Sequence, residues 1–171
     1  MNIKVMSKFE AIEYNYREDI QNNYIIISIS SIDTEEHILF SPNNKCKGVI
    51  RLKFNDLERD YGDKIRAPRQ GDFSGLKMFI DDFVERGNIE DIIVHCEAGI
   101  SRSSALGAVI AQYLGLDEFN LIWNNDKYIP NERVYRLASN EFGLKICEAQ
   151  LGFYKGIKKQ LLDEIDLPIN L

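Results

Sequence analysis

Apolar and polar positions follow two different rhythms along this chain. Four short runs favour strands: Ile3–Met6, Tyr24–Ser30, Val49–Phe54 and Asp91–His95. The last three are dense in Ile, Val and Leu with little alternation, which suits strands covered on both faces. Helical spacing fills the gaps between them. Ser7–Asn15 is a short helix, and Asp72–Arg86 sets Leu76, Phe79, Ile80, Phe83 and Val84 on one face before stopping at Gly87. Ser103–Leu114 is apolar nearly all round through Ala105, Leu106, Ala108, Val109, Ile110 and Ala111, which predicts a central, buried helix ending at Gly115. Asp117–Asn124 follows, then Asn131–Phe142 with Asn131 as its N-cap. A last helix, Leu144 to about Asp163, is expected to bury a stripe of Ile146, Ala149, Phe153, Ile157 and Leu161.

Strands alternating with helices early, and helices alone late, predict an α/β fold. It would have a mostly parallel central sheet of about four to five strands, flanked by helices on both faces. No internal repeat, low-complexity tract or Ser/Pro-rich linker interrupts the pattern, so one domain over residues 1–171 is expected. Residues 55–71, N-D-L-E-R-D-Y-G-D-K-I-R-A-P-R-Q-G, fit neither rhythm. A loop of that length is usually functional or mobile.

Composition narrows the classes. A chain of 171 residues, 44% hydrophobic, can bury a core without covalent staples. Its net charge of -6 argues against general affinity for nucleic acid or anionic membrane, while leaving room for a small positive pocket. Cys46, Cys96 and Cys147 show no paired spacing, and His37 and His95 are the only imidazoles, so neither a disulfide framework nor a zinc site is expected. Free thiols suit a reducing compartment. The opening M-N-I-K-V-M-S-K-F-E lacks the apolar core of a signal peptide, and the apolar runs are too short to span a bilayer. A cytoplasmic location is expected.

Chemistry concentrates in D-I-I-V-H-C-E-A-G-I-S-R-S-S, residues 91–104. Cys96 ends a buried strand and Ser103 begins a helix, so the five residues between must curl into a turn with inward backbone N–H groups. Gly99 gives that turn its conformational freedom and Ala98 keeps it slim. The helix adds its unpaired N–H groups and the positive end of its dipole, making an anion site that phosphate fits. The same field favours the thiolate of Cys96, a nucleophile. Arg102 can grip two phosphate oxygens with its planar fork, and Ser103 can donate a hydroxyl to the sulfur. Each residue taken singly has a plainer role: Cys96 a buried thiol, Arg102 a solvated helix residue, Ser101 or Ser103 a helix cap, Gly99 a turn residue. Their joint occurrence at one strand–helix junction favours the anion site.

H-C-E-A-G-I-S-R-S, residues 95–103, resembles the His-Cys-(five residues)-Arg-Ser/Thr signature of the cysteine-based protein tyrosine phosphatases. The compact dual-specificity branch, with the small bacterial predicted tyrosine phosphatases, is the nearest in length. The order of strands, loop and helices from about residue 24 to 140 is similar too. Low-molecular-weight tyrosine phosphatases and arsenate reductases carry their cysteine near the N-terminus, whereas Cys96 is central. Rhodanese-like proteins share the cysteine loop, but Gly99, Arg102 and Ser103 together favour the phosphatase side.

The resemblance implies hydrolysis of a phosphomonoester, most readily on a phosphorylated protein, through a cysteinyl-phosphate on Cys96 and without metal or other cofactor. The loop Glu97, Ala98, Gly99, Ile100, Ser101 and Arg102 would hold the phosphate. His95 would support the cysteine from behind, or be a satisfied core histidine. The family supplies a general-acid aspartate from an upstream loop. Asp56, directly after the strand R-L-K-F, is favoured, with Asp60 or Asp63 next, while Asp72 is expected to cap its helix. The loop after Asp56 is longer than usual in the compact branch. Its Lys64, Arg66 and Arg69 are either solvated or contact a second anionic feature of the substrate. Asn131, in Y-I-P-N-E-R-V-Y-R-L, would buttress the phosphate loop or cap its helix. Competing functions are a small-molecule phosphatase, a catalytically silent phosphate-binding module, and sulfur transfer or redox sensing at Cys96. The physiological substrate and oligomeric state are not legible.

Overall fold

The computed structural model describes residues 1–34, 40, 42–61 and 65–165, the last two by backbone only. His37, Asp63 and Lys64 lie outside the described residues. The elements in chain order are β1 (Asn2–Ser7), α1 (Lys8–Tyr16), β2 (Tyr24–Ser30), β3 (Cys46–Lys53), α2 (Leu76–Glu85), β4 (Asp91–Cys96), α3 (Arg102–Tyr113), α4 (Glu132–Glu141) and α5 (Glu148–Ile165). The four strands form one sheet in the order β1-β4-β2-β3, every pairing parallel. The fold is α/β, a parallel central sheet flanked by helices.

Strand alternation divides the core. Ile25, Ile27 and Ile29 of β2 and Ile92 and Val94 of β4 face α3, whose Ala105, Leu106, Ala108, Val109, Ile110 and Ala111 are all buried. Tyr24, Ile26 and Ile93 point the other way, onto Ala11, Ile20, Phe40 and Cys46. All six residues of β4 are buried, which explains its unbroken apolar run. In register, Ser7 of β1 lies beside Cys96 and Ser30 of β2 beside Lys53. The carboxyl ends of the strands thus share one edge of the sheet, where open α/β sheets place their ligands.

Three helical expectations change. The helix expected over Asp72–Arg86 is split: a 3-10 turn at Gln70–Phe73, then Gly75 with φ 79°, then α2. Asp72 therefore belongs to the turn instead of capping the long helix. Asp117–Asn124 becomes a five-residue π turn at Phe119–Trp123, whose last N–H, on Asn124, reaches back to the carbonyl of Phe119. The final helix begins at Glu148, four residues later than Leu144, and is rotated from the expected stripe. It buries Leu151, Tyr154 and Lys158, while Phe153 is 59% exposed and Ala149 is exposed. Aromatic packing sets that rotation, because Tyr154 stacks on Trp123 with ring centroids 5.4 Å apart and leans on Phe119 at 5.3 Å.

Candidate active site

Cys96 closes β4 and is 2% exposed. Its Sγ lies 3.1 Å from Ser103 Oγ and accepts the Gly99 N–H at 3.3 Å. Gly99 has φ 74°, and a Cβ there would fall 2.4 Å from the Ser7 nitrogen and 2.5 Å from the Met6 carbonyl carbon. Only glycine satisfies both the conformation and the approach to β1. Scaffold groups take the loop's carbonyls: Lys8 N–H donates to Glu97, Ile129 N–H to Ile100 at 3.0 Å, and Asn131 N–H to Ser101 at 3.3 Å. Ser104 Oγ donates to the Ser101 carbonyl at 2.9 Å and also to that of Ile100. The N–H groups of Glu97, Ala98, Ile100 and Ser101 donate to no acceptor among the described residues. With carbonyls committed to the scaffold and N–H groups uncommitted, the loop has the polarity of an anion cradle.

Arg102 opens α3 and is 5% exposed. Its Nη1 donates to the Phe54 carbonyl at 2.9 Å and to Ser31 Oγ at 3.1 Å. Its Nε–H is buried with no hydrogen-bond partner among the described residues and sits 3.9 Å from Asp56 Oδ2. Ser31 follows β2 and Phe54 follows β3, so two strand ends hold one guanidinium. Ser31 was not singled out in the sequence. It follows a strand that already carries Ser28 and Ser30, so its hydroxyl does not stand out from the pattern.

Asp56 Oδ1 accepts from Ser101 Oγ at 2.8 Å and Asn131 Nδ2 at 2.9 Å. Asn131 Oδ1 accepts the Val134 N–H at 2.9 Å and caps α4, as its sequence position suggests. Ser101 occupies the N-cap of α3, yet its hydroxyl is given to Asp56 and not to the helix. Asp60 instead accepts the Ala67 N–H at 2.8 Å within its own loop. Asp72 takes both terminal nitrogens of Arg66, at 2.8 and 2.7 Å, and the Arg69 N–H. Burial would raise the Asp72 pKa, but Arg66 and the Arg69 N–H outweigh it and hold the carboxyl below its ordinary range. Of Asp56, Asp60 and Asp72, Asp56 alone contacts the loop.

His95 is 2% exposed, with Nδ1–H directed at the Cys96 carbonyl at 3.3 Å and its ring 4.7 Å from that of Phe40. Burial brings its pKa down to about 4. At the rim, Glu97 and Ala98 are exposed, Ile100 is 37% exposed, and Glu97 is 3.7 Å from Lys8 Nζ. The described part of the 55–71 loop is strapped to α4. Glu58 accepts the N–H groups of Glu132 and Arg133 at 2.8 and 3.0 Å, and Arg133 Nε donates to the Pro68 carbonyl at 2.8 Å. Arg66 is committed to Asp72, and Arg69 lies 3.7 Å from Asp60. Among the described residues, no three His, Cys, Asp or Glu side chains group to hold a metal ion. No helix among them is long and apolar enough to cross a membrane.

No family model and no curated protein matches the chain. Among solved structures it is similar to the human tyrosine phosphatase-like serine/threonine/tyrosine-interacting protein, at 22% identity over 69% of this chain and 75% of that one, with a TM-score of 0.44. It is also similar to Tk-PTP in the active form, at 13% identity, 92% and 90% coverage and a TM-score of 0.40. PTPMT1 in complex with PI(5)P gives 16% identity, 96% and 94% coverage and a TM-score of 0.40.

Proposed function

We propose that the chain is a phosphomonoester hydrolase of the cysteine-based tyrosine phosphatase type, acting on phosphorylated protein. The observation that carries this reading is the buried Nε–H of Arg102, which has no hydrogen-bond acceptor among the described residues and only the Asp56 carboxylate at 3.9 Å, together with the uncommitted N–H groups of the loop that joins Cys96 to Arg102. A buried charged donor without an acceptor is costly unless an anion meets it. A phosphoryl group supplies oxygens for Arg102 and for the loop.

The Cys96 thiolate attacks phosphorus, the bond from phosphorus to the leaving oxygen breaks, and Asp56 gives that oxygen its proton. A cysteinyl-phosphate and an alcohol or phenol result. Water then attacks phosphorus, Asp56 takes its proton, and the sulfur departs as thiolate with the Ser103 hydroxyl directed at it. Inorganic phosphate leaves. Asn131 and Ser101 hold Asp56 toward the cradle, and Ser31 holds Arg102.

Purified protein is expected to hydrolyse p-nitrophenyl phosphate in the presence of a chelator, to be inhibited by vanadate, and to lose all turnover as Cys96→Ser. Asp56→Asn is expected to slow the first step most for poor leaving groups. A wild type that binds vanadate but turns over nothing between about pH 5 and 7.5, a range lying between the ordinary carboxylate and thiol values, would be a phosphate-binding module instead.

A further inference from the structure

The stretch after Asp56 takes no part in that chemistry, yet its described residues are docked along the length of α4. Asn131 gives its Nδ2–H to Asp56 at 2.9 Å. The next two residues, Glu132 and Arg133, give their backbone N–H groups to the two carboxylate oxygens of Glu58 at 2.8 and 3.0 Å. Arg133 also donates from Nε to the Pro68 carbonyl at 2.8 Å and from Nη1 to the Glu58 carbonyl at 3.3 Å. Farther down, Gln70 Nε2 reaches the Leu137 carbonyl at 3.1 Å, and the Gly75 N–H reaches Glu141 at 3.2 Å. Residues 131–133 thus hold both Asp56 and Glu58, and the Asn131 N–H holds the Ser101 carbonyl of the phosphate loop as well.

Asp56 cannot anchor itself through a full turnover. Its two partners, Ser101 Oγ and Asn131 Nδ2, both donate to one carboxyl oxygen. An ionised carboxylate accepts such bonds more strongly than the neutral acid. A general acid alternates between the two forms, so these bonds slacken each time Asp56 carries its proton. Glu58 neither gains nor loses a proton in the cycle. Its carboxylate meets free N–H groups at the start of α4, where the helix dipole favours negative charge. That anchor is the same in every step.

We propose that Glu58 is a positioning residue that keeps Asp56 within reach of the leaving oxygen in both protonation states. The role rests on the phosphatase reading, in which Asp56 is the general acid. It gives the long stretch after Asp56 a task in proton delivery, separate from any contact with substrate.

Glu58 is exposed, so Glu58→Ala removes the anchor without opening the core. The variant is expected to lose about tenfold in kcat/KM on phenyl phosphate, a part of the roughly hundredfold or more that a general acid contributes. On dinitrophenyl phosphate, whose leaving group departs as the anion, the loss should stay below about twofold. In an Asp56→Asn background the same substitution should cost nothing further on phenyl phosphate, because the acid it holds is gone. Glu58→Gln keeps an oxygen for one of the two N–H groups and should fall between wild type and Glu58→Ala. No loss on phenyl phosphate, equal losses on the two substrates, or a further tenfold loss in the Asp56→Asn background overturns the role while leaving the phosphatase reading intact. A wild type inactive on both substrates overturns that reading and the role with it.

Discussion

Arg102 divides its guanidinium between two tasks. Nη1 is spent on the scaffold, at Ser31 and the Phe54 carbonyl, while Nε is left for the cradle. Lysine could not do both, since a single ammonium has no fixed fork. Ser31→Ala should loosen the fork, lowering kcat/KM on p-nitrophenyl phosphate and the affinity for vanadate by about tenfold, the worth of one hydrogen bond to a charged group. Ser31→Thr should restore both. Unchanged vanadate affinity in the alanine variant would mean that the Phe54 carbonyl suffices.

His95 makes a second residue-scale prediction, in pH. Burial lowers its pKa from the ordinary 6.5 to about 4 in the folded chain. Between those values the unfolded chain binds a proton that the folded one does not. Stability should therefore be full above pH 6.5 and fall toward pH 4, by up to about 3 kcal/mol. Asp72 and Asp91, with pKa values below their ordinary 3.8, add their losses only at more acid pH. Urea unfolding at pH 7, 5.5 and 4.5 measures the slope, and His95→Asn should flatten it. A slope unaltered by that substitution assigns it to other groups.

Among the elements, the junction of β4 and α3 carries the site and was the most legible part of the chain. Its residues are contiguous, so their spacing already places them together. Asp56 and Asn131 reach the same loop from 45 and some 30 residues away, and only strand-end position and helix-cap chemistry marked them. Ser31 carried no such mark, because serine at a strand end has no distinctive chemistry of its own. The rotation of α5 was illegible for a different reason. Lys158 reads as solvent-facing, while Phe153 reads as core, and ring stacking on Trp123 decided otherwise. Gly99→Ala tests the junction itself. The left-handed conformation costs about 1–2 kcal/mol for a residue with a Cβ. The backbone of Met6 and Ser7 blocks the added atom. The variant should melt lower and lose at least about a hundredfold in turnover, as removal of an oxyanion donor does. Wild-type activity with a wild-type melting point would show that the loop can open by another path.

At the scale of the whole molecule, alternation of dense apolar strands with helices was enough to predict a parallel α/β sheet, because strands covered on both faces leave little polar alternation. Strand order was not legible, since local pattern contains no partner information. The order β1-β4-β2-β3 puts the cysteine strand between two neighbours and brings four carboxyl ends to one edge. At the opposite edge, buried Asp91 accepts from Lys4 at 2.6 Å, Asn2 at 2.8 Å, Tyr14 at 3.1 Å and Asn22 at 3.2 Å, clamping β1 to β4. Burial opposes its ionisation, but Lys4 and these donors win and hold its pKa low.

That clamp links residues 89 positions apart, and β4 is the strand β1 pairs with in the sheet. During synthesis β1 therefore emerges before β4 and waits for it. The β2–β3 pair can close over a much shorter span, and long-range parallel pairing is slow. β4 must then enter between β2 and the waiting strand, and that entry sets Gly99 against Met6 and Ser7. A nascent chain released before Cys96 would hold half a sheet and no cradle. Pulsed hydrogen exchange during refolding should protect the amides of β1 together with those of β4, and protection of β1 ahead of β4 would contradict this order.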